Sequence, residues 1–333
     1  MITVICPIYN EEKYISDCIK SILSQDYPKD SLEILFVDGM SNDKTRGVVE
    51  GYIKEYPFIH LIDNPERIVP YAMNRGIEVA NGDIIIRLDA HAIYPQNYFS
   101  YLVDNLNKLG ADNVGAVCRT LPANDSVKCK AIAAALSSSF GMGNSYFRIG
   151  AKDIMQVDTV PFGCYKKEVF DRIGLYDNDL VRNQDDELNA RLIKNGGKIY
   201  LLPDLVIDYF ARDSIKKTGK MFYQYGLYKP LVNKKLGAPA TIRQFFPVFF
   251  VLGLILGLPL SLIFKPLWYL YIGVVLFYLL LSYAFALKSS RNPLQIFYQI
   301  ITCFVIHFNY GWGYLTGLYK ILFNKSFNVK VNR

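Results

Sequence analysis

Two apolar runs in this chain stop abruptly at an aspartate: Ile34-Leu35-Phe36-Val37-Asp38-Gly39 and Ile84-Ile85-Ile86-Arg87-Leu88-Asp89-Ala90-His91. The apolar part of each run reads as a strand buried on both faces, as in a parallel sheet. Open sheets of that kind bind ligands beyond the carboxyl ends of their strands. An acid at a buried strand end is costly unless it has a partner. Two such acids, the second with a histidine two residues on, point to a nucleotide and a metal ion.

The surrounding pattern is consistent with such a sheet. Strands are expected over 3–6, 32–37, 59–62 and 83–88, and helices over 11–24, 43–56 and 70–80. Tyr14, Ile15, Cys18, Ile19 and Ile22 fall on one helical face. Pro70 suits a helix start and Asn81-Gly82 a helix stop. This β-α-β-α-β alternation predicts an α/β fold with a Rossmann-like sheet. Residues 90–185 are less regular: 114–118 and 156–160 read as strands, and 131–140 as a helix or a mobile loop. A helix over 187–194 and a strand over 198–202 follow.

Charge divides the chain sharply. All 30 acidic residues precede Ser214, with 23 of the 37 basic ones, so residues 1–213 carry −7 and the remainder +14. Residues 244–264 and 267–287 contain no charged side chain. Each is about the 20 residues that a bilayer helix needs, and Lys265-Pro266 makes a tight turn between them. A third apolar stretch, 294–318, is interrupted by His307, Asn309, Gly311 and Gly313. It spans, re-enters or lies at the interface, leaving two or three crossings open. An excess of cytoplasmic cations puts Lys229, Lys234, Lys235, Arg243, Lys288 and Arg291 inside. A third crossing would place Lys320, Lys325, Lys330 and Arg333 outside, against that rule. The cations flank apolar runs, which argues for a membrane partner and no nucleic acid. Met1-Ile2-Thr3-Val4-Ile5 runs straight into a strand with no signal-peptide pattern, so a cytoplasmic first domain is expected. Six scattered cysteines without a CxxC pair give no zinc spacing and suit a reducing compartment.

A GxGxxG fingerprint is missing after the first strand, where Pro7-Ile8-Tyr9-Asn10-Glu11-Glu12 stands, and there is no Walker A loop. A dehydrogenase or P-loop NTPase is therefore not expected. Instead, several blocks occur in order. They are Val4-Ile5-Cys6-Pro7-Ile8-Tyr9-Asn10-Glu11-Glu12, then Val37-Asp38-Gly39-Met40-Ser41-Asn42-Asp43, then Asn74-Arg75-Gly76 before Leu88-Asp89-Ala90-His91. Arg172-Ile173-Gly174-Leu175-Tyr176-Asp177 and Gln184-Asp185-Asp186-Glu187 follow. Together they resemble the family 2 glycosyltransferases of the GT-A fold. The Asp-Ala-His form and the apolar C-terminal hairpin are similar to the membrane-bound succinoglycan-type exopolysaccharide enzymes.

The resemblance implies a GT-A mixed sheet with helices on both faces over 1–210. A basic aromatic interfacial segment at 211–243 and a helical membrane domain at 244–333 would follow. It implies an inverting transfer of one sugar from a UDP-sugar, such as UDP-glucose, to a lipid-linked saccharide at the cytoplasmic face of the plasma membrane. Asp185 matches the general base, with Asp186 and Glu187 as neighbouring alternatives. Pro7, Tyr9, Glu11 and Asp38 match the nucleoside pocket, and Asn74 the donor-binding block. Asp89 and His91 match the residues that hold Mn²⁺ or Mg²⁺ on the diphosphate. They project to one side of an extended segment, and an imidazole favours Mn²⁺. Gln224 and Lys229 match a segment that approaches the diphosphate. Where relatives often carry Arg before Asn74, this chain has Met73. The Gln-x-x-Arg-Trp signature of processive synthases is missing, which argues against polymer synthesis. A non-catalytic membrane scaffold is the alternative of another class.

Overall fold

Alternating apolar and amphipathic stretches resolve, in a computed structural model that describes residues 1–327, into eight strands and thirteen α-helices. In the N-terminal part these are β1 (Ile2–Ile8), α1 (Ile15–Leu23), β2 (Leu32–Asp38), α2 (Thr45–Ile53), β3 (Ile59–Asp63), α3 (Val69–Val79), β4 (Ile84–Arg87), α4 (Tyr98–Lys108) and β5 (Asn113–Leu121). Then come α5 (Val127–Leu136), α6 (Ser139–Met142), α7 (Tyr146–Ile149), β6 (Met155–Gln156), β7 (Cys164–Lys166), α8 (Glu168–Ile173), α9 (Gln184–Lys194) and β8 (Ile199–Phe210). Four long helices close the chain: α10 (Ile215–Leu236), α11 (Phe246–Ile263), α12 (Lys265–Ser289) and α13 (Pro293–Leu322).

The strands form one mixed sheet in the order β3-β2-β1-β4-β7-β5-β8-β6. β1 pairs in parallel with β2 and β4, and β2 with β3. β7 runs antiparallel to β4 and β5, and β6 antiparallel to β8. Every residue of β1 and β2 is buried, because both strands are central and covered on both faces. β3 is the edge and exposes His60 and Asp63. The chain winds outward from β1 through β2 to β3, then returns to β4 on the other side. The carboxyl ends of β1 and β4 therefore flank a topological switch point.

Local details differ from the sequence reading. Tyr14 lies ahead of α1 and is exposed; the buried stripe is Ile15, Cys18, Ile19 and Ile22. The strand expected over 156–160 is only β6. Residues 131–140 are mostly helical: Ser126 caps α5, its Oγ accepting Cys129 N–H at 3.3 Å. All six cysteines are buried, and none forms a disulfide.

The chain forms two compact units, Met1–Arg119 with Gly150–Tyr209, and Thr120–Ile149 with the segment from Phe210 onward. Residues 120–149 thus separate from an otherwise N-terminal domain. The reason is a shared apolar core of Ile132, Ala133, Ala135 and Leu136 from α5 with Met221 and Phe222 from α10 and Cys303 and Ile306 from α13. The 211–243 segment likewise is no isolated surface strip, since α10 buries Met221, Phe222, Gln224, Leu227, Tyr228 and Val232. Residues 242–263 and 265–289 are long and apolar enough to cross a membrane, and most of their side chains are uncovered. Lys330 and Arg333 lie outside the described residues.

Candidate active site

The site begins where the parallel ladder ends. β1 pairs with β4 only as far as Ile5 opposite Arg87, while its pairing with β2 continues to Ile8 opposite Asp38. Pro7, buried and opposite Val37, therefore sits where one neighbour has already departed, a place that tolerates a missing N–H. The loops beyond β1 and β2 are laced together. Asn10 N–H donates to Ser41 Oγ at 2.9 Å, Asn42 N–H to Asn10 Oδ1 at 2.9 Å, and Glu11 N–H to Thr45 Oγ1 at 2.7 Å. Asn10 and Met40 adopt φ of 55° and 60°, left-handed turns that bring the loops together. Tyr9 lies over Gly39, where a Cβ would come within 3.2 Å of its ring.

Asp38 is fully buried. Its carboxylate accepts Ser41 Oγ–H at 2.5 Å, Ser41 N–H at 3.0 Å and Arg46 Nη1–H at 2.8 Å. Arg46 also donates to Asp63, at the end of β3, at 2.7 Å. Asp38 thus shapes the 39–41 turn as its first task, and a nucleoside would have to share its oxygens. Arg46 and Asp63 carry no motif signal in the sequence, and only the fold brings them to this acid.

The decisive cluster lies beyond β4. Arg87 is 6% exposed and forms an ion pair with Asp185 of α9. Its Nη2 stands 3.9 Å from Asp89 Oδ1. Asp89 Oδ2 lies 4.0 Å from His91 Nε2, and His91 Nδ1 lies 3.7 Å from Glu11 Oε1. Tyr94 clamps the Asp89 backbone, its hydroxyl accepting Asp89 N–H at 2.8 Å and donating to Asp89 O at 3.0 Å. Glu11, His91, Asp89, Arg87 and Asp185 thus form one row from the β1 loop to the start of α9. Burial pushes Asp185 above the ordinary carboxylate range, and Arg87 opposes that rise. Burial also works against the charge on Arg87, but Asp185 and Asp89 outweigh it and hold the guanidinium protonated.

Among the described residues no group of three His, Cys, Asp or Glu side chains forms a ready metal cage. Asp89 and His91 nevertheless fit as a partial set. Ligands at about 2.1 Å from one ion lie roughly 3 Å apart when adjacent, so closing their 4.0 Å gap takes a shift of about 1 Å. A diphosphate and water would complete the coordination.

On the other flank, Asn74 is buried and committed. It donates to Tyr176 O at 2.9 Å and Asn178 Oδ1 at 3.0 Å, and accepts Tyr176 N–H at 2.9 Å. It therefore fixes the 176–178 segment. Arg75 is engaged by Glu66 through two 2.9 Å contacts. Of the three acids opening α9, Glu187 is bound by Arg191 at 2.8 Å through both oxygens. Arg191 in turn ties the carbonyls of Ile173, Gly174 and Leu175. Asp185 is the acid that joins the row. Gln224 and Lys229 lie buried in α10, within the second unit.

Comparison with known proteins decides the family. Residues 3–174 match the model of glycosyl transferase family 2. The chain belongs to that family. A Methanococcus voltae relative of this family 2 glycosyltransferase is 34% identical over 327 residues, covering 96% of this chain and 97% of its own. It is named dolichyl N-acetyl-α-D-glucosaminyl phosphate 3-β-D-2,3-diacetamido-2,3-dideoxy-β-D-glucuronosyltransferase. Succinoglycan biosynthesis protein ExoA of Rhizobium meliloti is 30% identical over 247 residues, 74% of each chain. Among solved structures, a mannosyltransferase of Pyrobaculum calidifontis, in complex with GDP-mannose and Mn²⁺, has a TM-score of 0.59 at 20% identity. It covers 98% of this chain and 88% of its own. S. aureus TarS 1–349 with UDP has a TM-score of 0.52 at 15% identity, covering 99% and 94%. At those identities the likeness establishes the GT-A fold alone.

Proposed function

We propose that this glycosyltransferase moves one sugar from a UDP-sugar, such as UDP-glucose, to a lipid-linked saccharide. It would act with inversion at the cytoplasmic face of the plasma membrane, in exopolysaccharide or cell-surface glycan synthesis. The single observation that carries the chemistry is the row in which Arg87 stands between Asp89 and Asp185. The whole-length similarity to the M. voltae transferase supports a lipid-linked acceptor, and ExoA supports an envelope-glycan setting.

Asp185 acts as the base. It takes the proton from the acceptor hydroxyl as that oxygen attacks the anomeric carbon and the bond to the diphosphate breaks. Its raised pKa makes it a better proton acceptor than an ordinary exposed carboxylate. Arg87 keeps it oriented through their ion pair. Asp89 and His91 would hold Mn²⁺ or Mg²⁺, whose charge would stabilise the departing diphosphate. Glu11 steadies His91, and the laced loops carrying Pro7, Tyr9 and Asp38 cradle the nucleoside. Asn74 shapes the donor pocket through the 176–178 segment. Gln224 and Lys229 are assigned to the diphosphate by resemblance.

The test is calorimetric binding of UDP to the detergent-purified protein with and without Mn²⁺, with GDP as control. Metal-dependent UDP binding that Asp89→Ala abolishes is the expected result. Folded protein that binds GDP instead, or binds UDP equally well without metal, would overturn the donor and metal assignments respectively.

A further inference from the structure

The third long helix looks by length like another crossing. Its contacts place it elsewhere. α13 is packed along α10 at backbone distance. A Cβ on Gly226 would lie 2.0 Å from Tyr310 O, one on Gly313 2.2 Å from Tyr223 O, and one on Gly317 2.2 Å from Leu227 O. A Cβ on Gly219 would meet Val305 at 2.8 Å. The register rises together in both helices, so they run parallel from about 219 and 305 to 227 and 317. α10 carries Lys216, Lys217, Lys220, Lys229, Lys234 and Lys235. A helix with six lysines does not sit in hydrocarbon, where each costs a few kcal/mol near the centre. Whatever depth α10 has, the middle of α13 shares.

The contacts of α13 with the apolar hairpin agree. Ser289 of α12 donates to Gln299 at 2.6 Å, and Tyr278 lies 2.9 Å from His307 Nδ1. Phe250 of α11 packs on His307, Gly311 approaches Pro247, and Phe245 packs on Tyr314. Moving along α13 from 299 to 314, the partner changes from the last turn of α12 to the start of α11. α13 therefore crosses the base of the hairpin from one leg to the other. Beyond that base, residues 252–277 bury only Ser261.

The outward side of α13 is a stripe. Phe297, Phe304, Trp312, Tyr319 and Phe323 recur at seven or eight residues, or at four, and all are exposed. Lys320 and Lys325 flank its end. A single apolar stripe with aromatic residues and flanking cations is the pattern of a helix lying in the membrane interface.

We propose that α13 lies in the plane of the bilayer surface, its aromatic stripe in the lipid, and that, among the described residues, the α11–α12 hairpin makes the one excursion across. The occupant of the stripe is a lipid bilayer with anionic headgroups. The arrangement also satisfies the charge rule that three crossings violate. Of the 12 basic residues after Ser214 among those described, Lys265 at the hairpin turn faces the far side and the other 11 share the near side. The inference rests on the membrane association proposed above, but not on the sugar chemistry.

The experiment uses the full chain with an epitope tag at each end, in sealed vesicles of known orientation. A Lys265→Cys variant is probed in parallel with a membrane-impermeant maleimide. Both tags should be cleaved from the same side by added protease, and the thiol introduced at the hairpin turn should label from the opposite side. Tags on opposite sides would overturn the proposal in favour of a third crossing. Labelling of that thiol from the tag side would overturn the crossing of the hairpin. Protein released from vesicles by alkaline carbonate would overturn the membrane reading itself, and the proposal with it. As a second readout, in a Trp268→Phe variant that leaves Trp312 as the sole tryptophan, fluorescence should be quenched by lipids brominated near the headgroup and much less by lipids brominated at the chain end. The reverse order would place α13 in the bilayer centre and overturn the in-plane reading.

Discussion

At the scale of single residues, the row from Glu11 to Asp185 makes separable demands. Asp185→Asn keeps the shape and removes the proposed base, so transfer should fall by about 100- to 10,000-fold while UDP binding is retained. Initial rates and calorimetry on the same preparation check this, and loss of both would point to misfolding. The acid side of the pH–rate profile belongs to the same residue. As the proposed base Asp185 must be ionised to accept a proton, and burial raises its pKa. The rate should therefore rise with pH through a midpoint above the ordinary aspartate value of about 4. Arg87→Met leaves the burial unopposed, and the midpoint should move higher still. Glu33 shows the opposite sign away from the site. Burial raises its pKa, but hydrogen bonds from Thr3 at 2.5 Å and from Asn81 at 3.0 and 2.6 Å outweigh it and lower the value overall. That stabilisation is complete above the ordinary glutamate value and fades as pH falls through the lower folded value. Glu33→Gln should cost about 1–3 kcal/mol at neutral pH and less in acid, as measured by denaturant unfolding of the detergent-solubilised protein at both pH values.

At the scale of elements, glycine positions separate packing from propensity. Gly226→Ala forces a methyl against Tyr310 O at 2.0 Å in the α10–α13 seam. It should destabilise by about 1–3 kcal/mol. Gly47, inside α2, has nothing within 4 Å of its would-be Cβ, so Gly47→Ala should instead stabilise by about 0.5–1 kcal/mol. Thermal melts of the two variants should move in opposite directions. The same contrast marks what can be read from sequence. β1, β2 and β4 are legible because strands buried on both faces are unbroken apolar runs. α1 is legible because its stripe has helical spacing. Asp89, His91 and Asp185 stand out through ordered motifs. Arg87 does not, since a lone cation in a strand reads as exposed until Asp185, distant in sequence, is seen to meet it. The allegiance of 120–149 is also illegible. Ala131, Ala133 and Ala135 are too small to announce a partner, and the core that this helix joins comes from residues far along the chain. For α13, polar residues that read as interruptions turn out to face neighbours, as His307 does toward Tyr278 and the carbonyl of Phe140.

At the scale of the whole molecule, the proposed membrane attachment has two separable components, the charge division and the apolar hairpin. The cations after Ser214 attract an anionic surface, but that attraction is screened over about 3 Å in 1 M salt. Burial of the hairpin is not screened, because it depends on apolar area, at about 25 cal/mol per Å². Leu262, Ile263, Tyr269, Leu270, Phe277 and Leu280 are all more than 60% exposed, so transferring their side chains into lipid alone outweighs the electrostatic term. Membranes carrying the protein should therefore retain it through a wash in about 1 M salt and release it only to detergent. Substituting Asp for Leu256, Leu276 and Leu280, which lie near the middles of the two legs, should make the same protein salt-extractable, because each acid costs about 2.5–3.5 kcal/mol near the bilayer centre. The basic surface would remain, so the variant should still bind anionic vesicles at low salt and leave neutral ones. That pattern assigns the hairpin to anchoring and the cations to choice of lipid. Release of the unsubstituted protein by salt alone would reverse the assignment.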